Sequence, residues 1–325
     1  MISEYRKLAY LRGLSFSHNA EIGQESEPAR LRKDHLWMDT SKQFLKLALI
    51  LTAVFWSCAP AFCGPVNFVD SRGKTITIKK RPSQVVCLVP SITEIIFRLG
   101  AGDAVRGITY HSSAYPSEAG AKQVVGGFFS PSLKKIEEID PDMLFVSRLH
   151  KKVIERFDHG KCQIINLETD SLADSYKNIL LSGKIFDREE KAKEIVAGIK
   201  DELEIIAEKV SKIPRSDRKR VIRLMGRDPV MVPGDDSFQN EMIRAAGGIP
   251  PLFCKKGNIV VISKDEWMKF NPQVIYGCGD DRKTAKKFFD LPGWKDVDAV
   301  KNGKIFWFPC DLTCRASTNT GYFVS

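Results

Sequence analysis

From Arg188 to Lys212 the apolar residues Ile195, Ile199, Leu203, Ile206 and Val210 recur at steps of three and four, with charges between them. That spacing draws one apolar stripe on a helix of about 25 residues, about 38 Å long at 1.5 Å per residue. On both sides of it the pattern is different. Runs at 85–89, 105–109, 143–146, 164–167, 221–225, 274–276 and 305–308 read as strands, and 93–99, 133–138, 172–181 and 239–246 as the helices between them. Strands alternating with helices point to an α/β fold with parallel sheets covered on both faces. The expected organisation is two α/β lobes, 64–186 and 214–325, with 187–213 as the connecting helix that Pro214 ends. Ahead of the first lobe, 66–78 alternates about Asp70-Ser71-Arg72-Gly73 as a small hairpin, and Ser91 or Thr93 is expected to cap the first helix.

The 325 residues suffice for two domains, and 43% hydrophobic with 28% charged residues suits a globular chain. The net charge of +10 is spread along the sequence, which argues against a nucleic-acid partner and leaves a basic surface that attracts acidic ligands. Lys42 and Lys46 precede an apolar stretch from Leu47 to Trp56, and Ala59-Pro60-Ala61 follows. This reads as an export signal over 38–63, too short to cross a bilayer of about 30 Å, so the protein is expected outside the cytoplasm. Cys58 and Cys63 offer a lipid anchor as the alternative, and 1–37 is expected to be an extension upstream of a true start at Met38. The six cysteines beyond the signal can form disulfides in that compartment, and one among Cys278, Cys310 and Cys314 is the favoured pairing. Cys310-x3-Cys314 has no nearby His and is a poor zinc signal. Catalytic signatures of the Walker, GxSxG and HExxH kinds are absent, and Gly100-x-Gly102-x4-Gly107 fails the dinucleotide spacing. No enzyme is expected. A receptor for bare Zn or Mn ions is disfavoured too, since only His111, His150 and His159 remain after Met38.

Several blocks occur in one order. The first runs Arg81-Pro82-Ser83-Gln84-Val85-Val86-Cys87-Leu88-Val89-Pro90-Ser91-Ile92-Thr93-Glu94, then Leu99-Gly100-Ala101-Gly102-Asp103 and Val125-Gly126-Gly127. Ile139-Asp140-Pro141-Asp142, Ala246-Gly247-Gly248, Asn271-Pro272-Gln273-Val274-Ile275, Pro292-Gly293-Trp294 and Ala299-Val300-Lys301-Asn302-Gly303 follow. With these the chain resembles the class III periplasmic substrate-binding proteins for siderophores, haem and cobalamin, from about Val66 onward. The resemblance implies two Rossmann-like lobes joined by a rigid helix, with a metal chelate held in the cleft between them. It further implies a monomer that delivers its ligand to an ABC permease and its ATPase. No cofactor acts; the metal arrives within the ligand.

The expected contacts lie on loops beyond strand ends, where α/β sheets hold ligands. In the first lobe they are Pro90 and Ser91, then Tyr110, His111 and Tyr115, and the Phe128-Phe129 pair, of which Phe128 matches an aromatic of cobalamin binders. In the second they are Arg227, within Gly226-Arg227-Asp228-Pro229, and Asp311 and Arg315, which match an acid, arginine and small-residue signature of those binders. Two departures leave cobalamin, another corrinoid, haem and a siderophore all open. Ile259-Val260 stands where cobalamin binders carry a Trp, and Thr318-Asn319 replaces a Pro-Arg. Permease docking is expected through Asp265 with Glu266 on the second lobe. On the first lobe the matching position is Lys134, so Glu137 or Glu138 takes that part. The family's last helix is expected to be cut short at Ser325. A sensory or cofactor-assembly role on the same fold is the alternative to transport.

Overall fold

The structure is a computed structural model and describes residues 64–325 apart from Tyr115, His159, Asp280 and Asp281. The extension 1–37 and the export segment 38–63 expected from sequence lie outside the described residues, as does Tyr115. Strands β1 (Val66–Val69) and β2 (Thr75–Ile78) pair antiparallel as the expected hairpin. Its turn closes at Gly73, whose φ of 78° suits a residue without Cβ. The buried Asp70 carboxylate accepts from Arg72 Nε at 2.7 Å and from the Asn166 amide at 3.2 Å, fastening the hairpin to the first lobe.

The first lobe is built on β3 (Val85–Cys87), a three-residue strand buried on both faces as β-branched runs in parallel sheets are. Around it β4 (Val105–Ile108), β5 (Gln123–Val124), β6 (Met143–Val146) and β7 (Gln163–Asn166) pair in the order β5-β4-β3-β6-β7, all parallel. Helix α1 (Pro90–Arg98) starts earlier than expected. Its N-cap is Val89 and neither Ser91 nor Thr93 caps it, because Pro90 occupies the first turn, where proline lacks only an amide that would be unpaired anyway. Helices α2 (Leu133–Ile139), α3 (Lys151–Phe157) and α4 (Leu172–Ile185) follow, the last opened by a capping box between Ser171 and Asp174.

The expected stripe is one helix, α5 (Glu189–Ser211). Its first half buries Ala192, Val196 and Ile199 in the core of the first lobe, and its second half buries Ile206 against Phe238, Met242 and Val324 of the second. One apolar face therefore serves two cores, which fixes the lobes to a common axis.

In the second lobe β8 (Val221–Arg223) is shorter than the expected run. The turn residues Gly226-Arg227-Asp228-Pro229 fold the chain back as β9 (Gly226–Arg227) against β10 (Val230–Val232), with β11 (Val260–Val261) on the other side. This antiparallel sheet was not foreseen from the α/β alternation, since strands of two or three residues leave too little periodicity to read. Helices α6 (Phe238–Ala245) and α7 (Lys264–Phe270) are each capped by a serine, Ser237 and Ser263. Strands β12 (Val274–Cys278) and β13 (Ile305–Phe308) join β8 in a parallel sheet of order β13-β12-β8. Helices α8 (Arg282–Phe289), α9 (Asp298–Lys301), α10 (Cys310–Thr313) and α11 (Thr320–Val324) complete it. Among the described residues no helix is long and apolar enough to cross a membrane.

Candidate ligand cleft between the lobes

The two lobes meet through the loops that leave their parallel strands. The loop after α10 carries Arg315, whose Nη1 donates to the Pro90 carbonyl at 3.0 Å and whose Nε lies 3.8 Å from Glu94 Oε2. Glu94 is wholly buried on α1. Its Oε1 accepts from Ser317 Oγ at 2.7 Å and from the Thr318 hydroxyl, so three side chains of the second lobe converge on one carboxylate of the first. A buried carboxylate without such partners would be strongly destabilising. Asn258 Nδ2 donates to Asp170 at 2.6 Å and the Leu172 amide to Glu241 at 2.7 Å, adding two further ties between the lobes. Thr318, a departure from the cobalamin-binder signature, is thus a partner of Glu94, and exposed Ile259 sits beside the inter-lobe tie at Asn258.

Of the expected ring residues of the first lobe, Tyr110, His111, Phe128 and Phe129 form one patch. Tyr110 stacks on His111 with ring centroids 4.0 Å apart, and Phe128 meets Phe129 and His150 edge-on at 5.0 Å each. His111 Nδ1 accepts from the Phe128 amide at 3.2 Å. The buried His150 accepts at Nδ1 from the Ser147 amide, so its Nε2 carries the proton and donates to the Phe128 carbonyl at 2.6 Å. The backbone that presents Phe128 and Phe129 is therefore held from both sides. Gly127 makes room for the patch, because a Cβ there would stand 2.6 Å from the Tyr110 ring. The outer members are open to solvent, Tyr110 at 57% and Phe129 at 79% of their full exposure. Burial depresses the pKa of both histidines below the usual imidazole range, and for His111 the charge of Arg315 adds to it. Arg315 thus reaches the aromatic patch electrostatically while it grips α1.

On the second lobe Arg227 is half-buried on β9, and Asp311 is half-buried in the first turn of α10. Ser91 is buried and Pro90 half-buried, so this turn meets Arg315 through its carbonyl and offers no proline amide to a ligand. The expected disulfide is not formed. Cys278 and Cys314 lie 3.3 Å apart at sulfur, against the roughly 2.05 Å of a disulfide, and all six cysteines among the described residues are free thiols. A hydrogen bond from the Cys314 thiol holds Cys278 down at about 7.

The expected docking acids separate by what they already do. Asp265 is exposed on α7, whereas Glu266 closes the capping box with Ser263 and pairs with Lys255 at 2.7 Å. On α2 Glu137 is exposed and pairs with Arg156, with Lys134 and Glu138 exposed nearby. Sequence reasoning passed over Glu94, although it ends the first resembling block; a carboxylate two residues inside an apolar helix face was the available signal. Arg223 was missed as well, a residue 2% exposed at the end of β8.

Known proteins are similar to this chain in sequence and in fold. The ABC transporter substrate-binding lipoprotein YvrC of Bacillus subtilis strain 168 is 29% identical over 258 residues, 78% of this chain and 81% of its own length. The petrobactin-binding protein YclQ of the same organism is 24% identical over 297 residues, 81% of this chain and 90% of its own length. The crystal structure of the periplasmic vitamin B12-binding protein BtuF of Vibrio cholerae superposes with a TM-score of 0.62 at 16% identity, covering 75% of this chain and 94% of that one. At that identity the likeness speaks for the fold, two lobes joined by a long helix. The sequence profile of the periplasmic binding proteins matches residues 85–312, from the first central strand to α10, and this chain belongs to that family of solute-binding proteins rather than to the enzymes.

Proposed function

We propose that this protein captures a metal chelate of the corrinoid or ferric-siderophore kind outside the cytoplasm and delivers it to an ABC permease. The observation that carries this reading is the patch of Tyr110, His111, Phe128 and Phe129, held out on strand-end loops and partly open to solvent. Flat apolar faces on such loops suit a large ligand with extended greasy or conjugated surface. Arg315, which crosses the lobe boundary to Pro90, supplies a guanidinium fork for amides or carboxylates, and Arg227 and Asp311 of the second lobe are the further polar contacts in this reading. The relatives named for petrobactin and for vitamin B12 support the same ligand range. Haem is the second reading, favoured by the exposed phenol of Tyr110 next to the His111 ring.

In this reading 38–63 acts as export signal, with a lipid anchor as its variant, and the mature protein works as a monomer. The metal arrives inside the ligand and no reaction takes place. Docking runs through Asp265, the acid on α7 that the capping box leaves exposed, and through Glu137 on α2. Calorimetry of the full chain with cobalamin, cobinamide, haem and ferric siderophores tests the ligand. Sub-micromolar binding of one of them is expected. Replacing both exposed aromatics, Tyr110→Ala with Phe129→Ala, is expected to weaken it by about tenfold or more. A folded protein that binds none of the four classes sinks the reading.

A further inference from the structure

We propose that Cys278, Cys310 and Cys314 form a three-thiolate site for a thiophilic metal ion of the Zn2+ class, with Arg223 as its charge partner and a fourth coordination position that none of the described residues fills. The proposal is independent of the ligand reading above, since it concerns a bare ion and a separate set of residues.

The fold brings the three sulfurs together from two strand ends. Cys278 is the last residue of β12, and its neighbour β13 leads through Pro309 directly into α10. Cys310 and Cys314 stand one helical turn apart, with the Cys314 amide donating to the Cys310 carbonyl at 2.9 Å, so both side chains point the same way. All three Sγ atoms lie within 4.8 Å of one another, and the Cys278–Cys314 pair is at 3.3 Å. Zn–S bonds of about 2.3 Å at tetrahedral angles place neighbouring sulfurs about 3.8 Å apart, a spacing these three reach by small side-chain rotations. A disulfide would occupy two of the thiols and leave the third idle. Convergence of three on one point is what a metal ion uses.

The charge around the sulfurs fits too. Arg223 is buried at the end of β8, where its Nη2 donates to Cys314 Sγ at 3.1 Å and its Nη1 to the Thr313 carbonyl at 2.5 Å. Its Nε, also buried, has no hydrogen-bond partner. Three thiolates around a divalent ion carry one net negative charge, which this guanidinium balances. Besides bracing α10 through the Thr313 carbonyl, the buried guanidinium thus places its charge directly against the sulfur group. Among the described residues the group contains three ligand atoms and no fourth. Cys310 and Cys314 are exposed, so an ion can enter from solvent and keep water in the remaining position, as zinc sites with three protein ligands do. Binding exchanges S–H bonds for S–Zn bonds, and the displaced protons leave to solvent.

The test uses the full chain, reduced and metal-free. Zn2+ alone is titrated against a chromophoric chelator, and Co2+ is then substituted to read its thiolate charge-transfer bands. One ion per chain is expected, together with Co2+ bands of tetrahedral thiolate type and loss of reactivity at three thiols toward an alkylating agent. Outer-sphere changes cost about 10–100-fold in metal affinity, so removing a ligand, by Cys278→Ser, Cys310→Ser or Cys314→Ser, should cost more than about 100-fold. Cys254→Ser, at an exposed thiol outside the group, should change nothing. Arg223→Met should weaken binding less than any ligand variant. Far-UV circular dichroism and thermal melts of each variant separate lost binding from lost folding. No uptake of Zn2+ by the reduced, folded chain overturns the proposal, and so does uptake that survives the triple serine variant.

Discussion

Arg315 and Glu94 are the pair on which the lobe boundary turns. Glu94 is wholly buried, and its stabilisation comes from the Arg315 charge and the hydroxyls of Ser317 and Thr318. Removing one partner of a buried ion pair typically costs about 3–5 kcal/mol, because the other charge stays buried without compensation. Arg315→Ala is therefore expected to lower unfolding stability by about that amount in chemical denaturation. Adding Glu94→Gln should restore most of the loss, since a neutral amide can still pair with the two hydroxyls. Equal stability of the single and double variants would show that the charge is not what matters there. His150 acts at the same scale through its protonation. Its folded-state pKa is depressed by burial, so below the ordinary imidazole value of about 6.5 the unfolded chain binds more protons than the folded one. Stability is then fully present above that pH and lost as the pH falls below it. The denaturation midpoint should drop between about pH 7.5 and 5.5, and His150→Gln should flatten that slope. An unchanged slope in the variant would assign the effect to other groups.

Among the elements α5 has the clearest division of labour. Ile199 lies on the buried stripe and Ile205 is 55% exposed away from it, with the same side chain and helical setting. Ile199→Ala should cost about 2–5 kcal/mol from lost transfer energy and the cavity left behind. Ile205→Ala should stay within about 0.5 kcal/mol. The contrast, read by urea denaturation, tests the stripe itself. The strand ends show a second division. Helix α10 has four residues and little stability of its own, yet it positions Asp311, the Cys310–Cys314 pair and, just beyond, Arg315. Such a short helix stands because Thr313 and Cys314 are tied to Arg223 beneath it.

For the whole molecule the consequence of α5 is mechanical coupling. Trp267, Trp294 and Trp307 all belong to the second lobe, whereas Ile199 packs in the first. In the Ile199→Ala variant tryptophan fluorescence and circular dichroism should shift together, because one helix completes both cores. A fluorescence transition left in place would mean that the lobes unfold separately. Hydrogen bonds at Glu94, Asp170 and Glu241 tie the two lobes to one another as well.

The alternation of strands and helices, the connector stripe and the resembling blocks were legible along the chain because each depends on local period or local order. Strand Met143–Val146, strand Ile305–Phe308 and helix α5 fall where the pattern put them, within a residue. The small sheet of β9, β10 and β11 was not legible, since its strands are too short to carry a period and its pairing joins residues far apart in sequence. The same holds at the site. The aromatic loop residues could be chosen from their place after strands, but Glu94 looked like one more charge on a helix until the fold closed Arg315 over it. Cys310-x3-Cys314 by itself is an incomplete ligand set. Only the parallel pairing of β12 with β13 sets Cys278 beside it, and only the end of β8 sets a buried guanidinium beneath. Local sequence determines which elements form and which faces are apolar. Which charges are buried together, and which thiols converge, is decided by long-range packing, because desolvation and proximity exist only once the elements are in place.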